Sequence, residues 1–187
     1  MEKLTSILLR CMLFILIGIP NVSAQTTSLT ATSWPRVINA TAGFSFDFPS
    51  TFKKYDTLNI TGYFIEIDSV QLEVHYVNTT SNRPAVARTS IAPNIRADTL
   101  AQFVPMLLQA TSGQLVSHQI VTHNAGLVKG KQVQITYISE DNHATTMYSR
   151  FYWFNNKLLT FTATAKNNRA ALLATYQSRL FNSINFP

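Results

Sequence analysis

The chain has 187 residues, a net charge of +6 and one cysteine, Cys11. A single thiol excludes an internal disulfide framework and a multi-thiolate metal site. The basic residues are scattered, densest at Lys53-Lys54 and at Lys129 with Lys131; with no arginine-rich stripe, the charge argues for solubility and weak attraction to anionic surfaces, not for nucleic acid.

Lys3 and Arg10 bracket a short charged region, Cys11 to Ile19 form an apolar run, and Val22 and Ala24 occupy the small-residue positions of a processing site. This pattern predicts a signal peptide over 1–24, cleaved between Ala24 and Gln25, and hence a periplasmic or extracellular protein. The apolar run is too short for a bilayer that needs ~20 residues per crossing. Leu9 and Arg10 precede Cys11, where lipoprotein acylation needs small residues. Cleavage would remove the cysteine, so the mature fold must be held by its core. Sequons begin at Asn39, Asn59 and Asn78. They would accept glycans in a eukaryotic secretory pathway. They would be silent in the bacterial envelope that the style of the signal suggests.

Residues 25–33 are Thr/Ser-rich and predict a flexible lead-in to one domain over 34–187. Phe44, Phe46 and Phe48 alternate with Ser45 and Asp47, a strand with one buried face that Pro49 ends. "ITGYFIEIDSVQLEVHYV" reads as two strands around Asp68-Ser69. The second puts Val70, Leu72, Val74 and Tyr76 on one face and Gln71, Glu73 and His75 on the other. "TSNRPA" reads as a loop and "RTSIAPNI" as an extended stretch interrupted by Pro93. A helix is expected over 98–111, capped by Asp98, stopped by Gly113, and kinked or broken at Pro105. Its stripe is Leu100, Phe103, Val104, Leu107 and Leu108. Strands follow near Leu115–Thr122, Lys131–Ser139, Met147–Phe154 and Leu158–Ala165. A closing helix over 168–183, capped by Asn167 or Asn168, carries Leu172, Leu173, Tyr176, Leu180 and Ile184.

The segment "RFYWFNNKLLTFTATAK" contains large apolar groups at both odd and even positions. With Asn155-Asn156 as a two-residue turn, Tyr148, Arg150, Tyr152, Leu159, Phe161 and Ala163 share one sheet face. Phe151, Trp153, Leu158, Thr160 and Thr162 share the other. Such a hairpin belongs inside a sheet covered on both sides. Burying Trp153, Phe151, Tyr152 and Phe161 would contribute ~1.5–3 kcal/mol each. The two helices are the natural covers. The expected fold is therefore α+β, an α/β/α sandwich around a mainly antiparallel sheet.

Three segments, Phe44-Ser45-Phe46-Asp47-Phe48-Pro49, "YSRFYWFNNKLLTFTATA" and Leu180-Phe181-Asn182-Ser183-Ile184, give the chain an order that resembles the Mog1/PsbP-like fold group. The likeness is one of pattern and order and covers most of the chain beyond residue 24. It implies a binding, assembly or envelope protein without an established catalytic centre. It brings no functional motif that maps onto residues here.

The histidines are His75, His118, His123 and His143, and none lies in a recognised metal-ligand spacing. His118 and His123 should point to opposite faces of one strand. Glu66, Asp68, Glu73 and His75 could form one polar patch, which would be either a carboxylate–imidazole cluster or the solvent face of an edge hairpin. Arg150 sits mid-strand between Tyr148 and Tyr152, where it could anchor an anionic ligand or meet a structural carboxylate. No nucleophile elbow is present, and "LVKGKQ" is not a phosphate-binding loop. The leading expectation is an exported, non-catalytic domain that binds a protein partner or supports envelope assembly, with no cofactor and no metal. Behind it stand a small-ligand binder using Arg150, Tyr148 and Tyr152, and a hydrolase using Glu73 and His75.

Overall fold

The computed structural model describes residues 34–57, 60–78, 93–155 and 157–187. The expected signal peptide, the lead-in, the "TSNRPA" loop, Asn59 and Asn156 lie outside them. Nine strands are described: β1 (Arg36–Asn39), β2 (Phe44–Asp47), β3 (Lys53–Thr57), β4 (Ile60–Ile67), β5 (Val70–Asn78), β6 (Gln114–His123), β7 (Val128–Ile138), β8 (Ala144–Phe154) and β9 (Lys157–Lys166). Two α-helices, α1 (Pro93–Thr111) and α2 (Ala170–Asn182), accompany them. Strands β3 to β9 form one sheet in the order β3-β4-β5-β9-β8-β7-β6, and β1 pairs with β2 apart from it. All pairings are antiparallel.

The β8–β9 hairpin lies in the interior of that sheet. Phe154 faces Lys157, Tyr152 faces Leu159 and Arg150 faces Phe161, the register of a two-residue loop, with Asn155 at φ +48°. Both faces are covered. On one, Leu100, Phe103, Val104 and Leu107 of α1 meet Val133, Ile135, Met147, Phe151 and Leu158. The Phe103 and Phe151 rings stack at 5.3 Å. On the other, Leu173, Leu180 and Phe181 of α2 and the three phenylalanines of the β1–β2 unit meet Leu72, Val74, Tyr152, Leu159 and Phe161.

The "FSFDFP" and "LFNSINF" segments are bonded to each other. Ser45 and Asn185 exchange two backbone hydrogen bonds of 2.9 Å. Ser183 Oγ accepts from the Asp47 amide at 2.9 Å, and Arg36 donates to the Ser183 carbonyl at 2.8 Å. Arg36 also pairs with Asp47 at 2.8 Å. The end of the chain thus ties the β1–β2 unit over α2 and the sheet.

Several local expectations change. Helix α1 begins at Pro93, a residue whose fixed φ suits a first helical turn, so Asp98 lies inside the helix and is not its cap. It runs unbroken through Pro105, which lies on the exposed side, where water can satisfy the carbonyl freed by the missing N–H. The left-handed residue that ends it is Ser112, at φ +50°. Gly113 is needed for closeness instead, since a Cβ there would stand 2.7 Å from Ile135. Helix α2 is preceded by a short 3-10 turn, Asn167–Arg169, and has no side-chain cap; Asn167 accepts from Thr146. Strands β1 and β3 were not expected. β1 is four residues long, and β3 is a charged edge with no apolar alternation for a period-two pattern to reveal.

Arg150 joins the sheet to α2. Its Nε donates to Gln132 Oε1 at 2.6 Å and its Nη1 to the Phe181 carbonyl at 3.0 Å, with the guanidinium 4.6 Å above the Phe181 ring. The Phe181 carbonyl is among the last of α2, which lack intrahelical donors and favour a cation. The ring it stacks on is a phenylalanine, and both acceptors are neutral, so the expected structural carboxylate is not its partner. Arg150→Ala should lower stability by ~1.5–3 kcal/mol, the range for a hydrogen-bonded charge. Urea unfolding measures this, and an unchanged midpoint would show the contacts to be idle.

Candidate functional site

The described polar groups nearest to a chemical site lie on the α1 side of β5. Glu73, His75 and Val77 share that face, opposite Thr162, Thr160 and Leu158 of β9. Ser149 of β8 stands beyond Thr162 and is hydrogen-bonded to it at 3.0 Å. β5 is an interior strand between β4 and β9, so the expected edge hairpin is not what these residues occupy. The side chains of His75 and Glu73 are only 10% and 17% exposed.

Tyr55 reaches this cluster from the sheet edge. Tyr55, Gly62 and His75 are aligned across β3, β4 and β5. The tyrosine hydroxyl is hydrogen-bonded to His75 Nε2, and the two rings meet at 5.7 Å and 64°. This reach crosses β4 over a residue with no side chain. A Cβ on Gly62 would lie 2.1 Å from Tyr55 Cζ.

The same device occurs on the other face. Val121, Gly130 and Tyr152 are aligned across β6, β7 and β8. Tyr152 lies over Gly130, where a Cβ would meet its ring at 2.4 Å, and is hydrogen-bonded to His123 Nε2 at 2.9 Å. Both arrangements escape periodicity rules. The available signal was a lone glycine inside each strand pattern, which marks a close approach.

Burial governs the charges. It pushes the Glu73 carboxyl up to about 7 and the His75 imidazole down to about 4. Glu73 Oε2 and His75 Nε2 stand 3.7 Å apart, too far for a hydrogen bond, and both groups tend toward neutrality near pH 6. Nε2 is the ring nitrogen that meets the Tyr55 hydroxyl, and the tautomer sets which of the two donates. His123 is also lowered, first by burial and then by Arg150.

The four acidic and imidazole residues expected in one patch do not form one. Glu66 is exposed on the Glu73 side. Asp68 and Ser69 make the turn at φ +50° and +63°, and Asp68 accepts from the Tyr176 hydroxyl of α2 on the opposite side. Tyr148, Arg150 and Tyr152 do share the α2 face, with Tyr152 fully buried. His118 and His123 point to opposite faces, as their spacing predicts. His143 is exposed in the turn where Asp141 pairs with Lys166. Asn39 is 8% exposed and donates to Tyr63 at 3.1 Å, so in the folded chain it is not open to a glycan. Among the described residues, no His/Cys/Asp/Glu group is placed to hold a metal ion, and no helix is long and apolar enough to cross a membrane.

The opposed shifts give opposed pH effects. Glu73 binds its proton more tightly in the folded chain, so its contribution falls as pH rises from about 4.5 to about 7. His75 binds its proton less tightly, so its contribution rises from about pH 4 to about 6.5. The slopes nearly cancel where they overlap. Glu73→Gln should leave stability rising across the histidine window by up to ~1.4 kcal/mol per pH unit, and His75→Gln should leave it falling across the carboxylate window. Urea unfolding at stepped pH separates them; profiles parallel to the parent would contradict the assignment. Gly62→Ala should cost ~1–3 kcal/mol by overpacking and raise the His75 titration toward its ordinary range. A tolerated alanine with an unmoved histidine would show that Tyr55 does not depend on this gap.

No family model matches the chain, and no curated protein matches it. Solved structures do. Cyanobacterial PsbP from Synechocystis sp. PCC 6803 aligns over 88% of this chain and 99% of its own, with 12% identity and a TM-score of 0.56. LpqN of Mycobacterium tuberculosis, described as involved in cell envelope biogenesis, aligns over 84% of this chain and 87% of its own at 11% identity, with a TM-score of 0.40. The antiparallel sheet, its two helical covers and the coverage of PsbP together show that this chain has a PsbP-like fold.

Proposed function

We propose that the chain is an exported, non-catalytic binding domain, with residues 34–187 as its working part, and that it engages protein through the β6 edge. The observation that carries this is the contrast between the groups able to do chemistry and the surface left open. Tyr55 and His75, Ser149 and Thr162, and Tyr152 and His123 are bonded within the fold, and Arg150 is bonded to Gln132 and α2. The edge strand β6 instead presents Leu115, Val116 and Ile120 to solvent, Ile120 at 77% exposure. A long apolar edge is a template for a further strand. The ligand reading centred on Arg150 is weaker, because Nε and Nη1 already have partners. The hydrolase reading is weaker too, because Glu73 and His75 are withdrawn from water.

Export is supported by the processing pattern at Val22 and Ala24 and is tested by N-terminal sequencing of the protein recovered from its own cells, which should begin at Gln25. An intact Met1 start would contradict it. Binding is tested by placing a photo-crosslinking residue at position 120 or, as control, at position 53 on the opposite edge. Capture of protein at 120 but not at 53 is expected. Equal yields at both would remove β6 from the proposal.

A further inference from the structure

The two edges of the seven-stranded sheet are built differently. β3, Lys53–Thr57, is five residues long and carries Lys53, Lys54 and Asp56, with Lys54 paired to Asp56 at 3.0 Å. Short length and charge are the usual protection of an edge. β6, Gln114–His123, is ten residues long and reads QLVSHQIVTH, without one Asp, Glu, Lys or Arg. A bulge between Leu115 and Ser117 breaks its register with β7 and leaves the run from Ser117 to His123 regular. In a chain of net charge +6 this strip is uncharged, exposed and partly apolar.

We propose that β6 pairs antiparallel with β6 of a second copy of this chain. This rests on the reading of β6 as a binding edge and names its occupant. Self-pairing here sets no lysine or arginine of this basic chain against another, since none lies on either strand. The pairing also closes. A two-fold axis joins the two seven-stranded sheets at their β6 edges and leaves the short, charged β3 as the outer edge of each, so growth of that sheet stops at two copies. With the axis at Gln119, Ile120 of each copy lies opposite His118 of the other, both on the α1 side, and Gln119 lies opposite itself. Neither pair sets a lysine, arginine, aspartate or glutamate against another.

Sedimentation velocity on the purified full chain over a range of concentrations should show a reversible monomer–dimer equilibrium. Ile120→Lys would set two cations on the paired strands and should weaken the dimer by about tenfold or more. Ile38→Lys, at a similarly exposed site on β1, should not. Both substitutions are at exposed positions, and an unchanged far-ultraviolet spectrum confirms folding. Because the one native cysteine is Cys11, Gln119→Cys in a Cys11→Ser background gives a clean probe, which should form a disulfide-linked dimer under mild oxidation. A parent chain that stays monomeric throughout, a dimer indifferent to Ile120→Lys, or a dimer that Gln119→Cys fails to link would overturn the inference. A monomeric parent that still captures a different protein from position 120 would overturn self-pairing and leave β6 as a binding edge. Loss of both would remove both readings.

Discussion

Burial of the β8–β9 hairpin on both faces is the constraint from which the rest of the fold follows. Phe151 and Leu158 point to one side and Tyr152, Leu159 and Phe161 to the other, so neither face can be left in water. One helix covers each side, and α2 does so with the help of the β1–β2 unit. The chain's last residues hold that unit in place through Ser45 and Asn185. Polar groups carried into this interior must find partners there. Among the described residues, no fully buried side-chain nitrogen or oxygen lacks one.

That requirement explains the two tyrosine–glycine–histidine arrangements. A histidine on a sheet face needs a hydrogen bond, and the Glu73 carboxyl beside His75 stands too far off to supply one, at 3.7 Å. A tyrosine from two strands away supplies it, provided that the strand between carries glycine. Gly62 opens the path for Tyr55, and Gly130 opens it for Tyr152. Burial then lowers the titration of both histidines and raises that of the nearby Glu73 carboxyl. Such contacts tie strands two apart in the sheet to one another. Of the two edges of the seven-stranded sheet, β3 carries lysines and an aspartate and β6 carries none, and the difference between them is where interaction is expected.

Much of the fold is legible in the sequence because it follows from period and turn chemistry. Alternation of Phe44, Phe46 and Phe48, the Asp68-Ser69 turn, the register across Asn155 and the stripe of α1 each reflect one local rule. What was hidden depends on distant partners. β3 has no apolar alternation, since an edge strand with both sides wet needs none. Asp68 leaves the Glu66 face because positive φ at the turn swings it toward Tyr176. Arg150 reads as an unpaired cation until the Phe181 carbonyl arrives from the far end of the chain. The burial of Glu73 and His75 was missed because polar residues on alternate positions look solvated when the strand's place in the sheet is unknown.

The claim on which the functional reading turns is that these polar residues belong to the interior. Nuclear magnetic resonance titration of the imidazole of His75 tests it most directly. A ring that stays neutral down to about pH 4 is the predicted result. A ring that titrates near 6.5 would mean that water reaches the cluster. Glu73, His75 and Tyr55 would then have to be treated as an open site, and the priority given to the β6 edge would be lost.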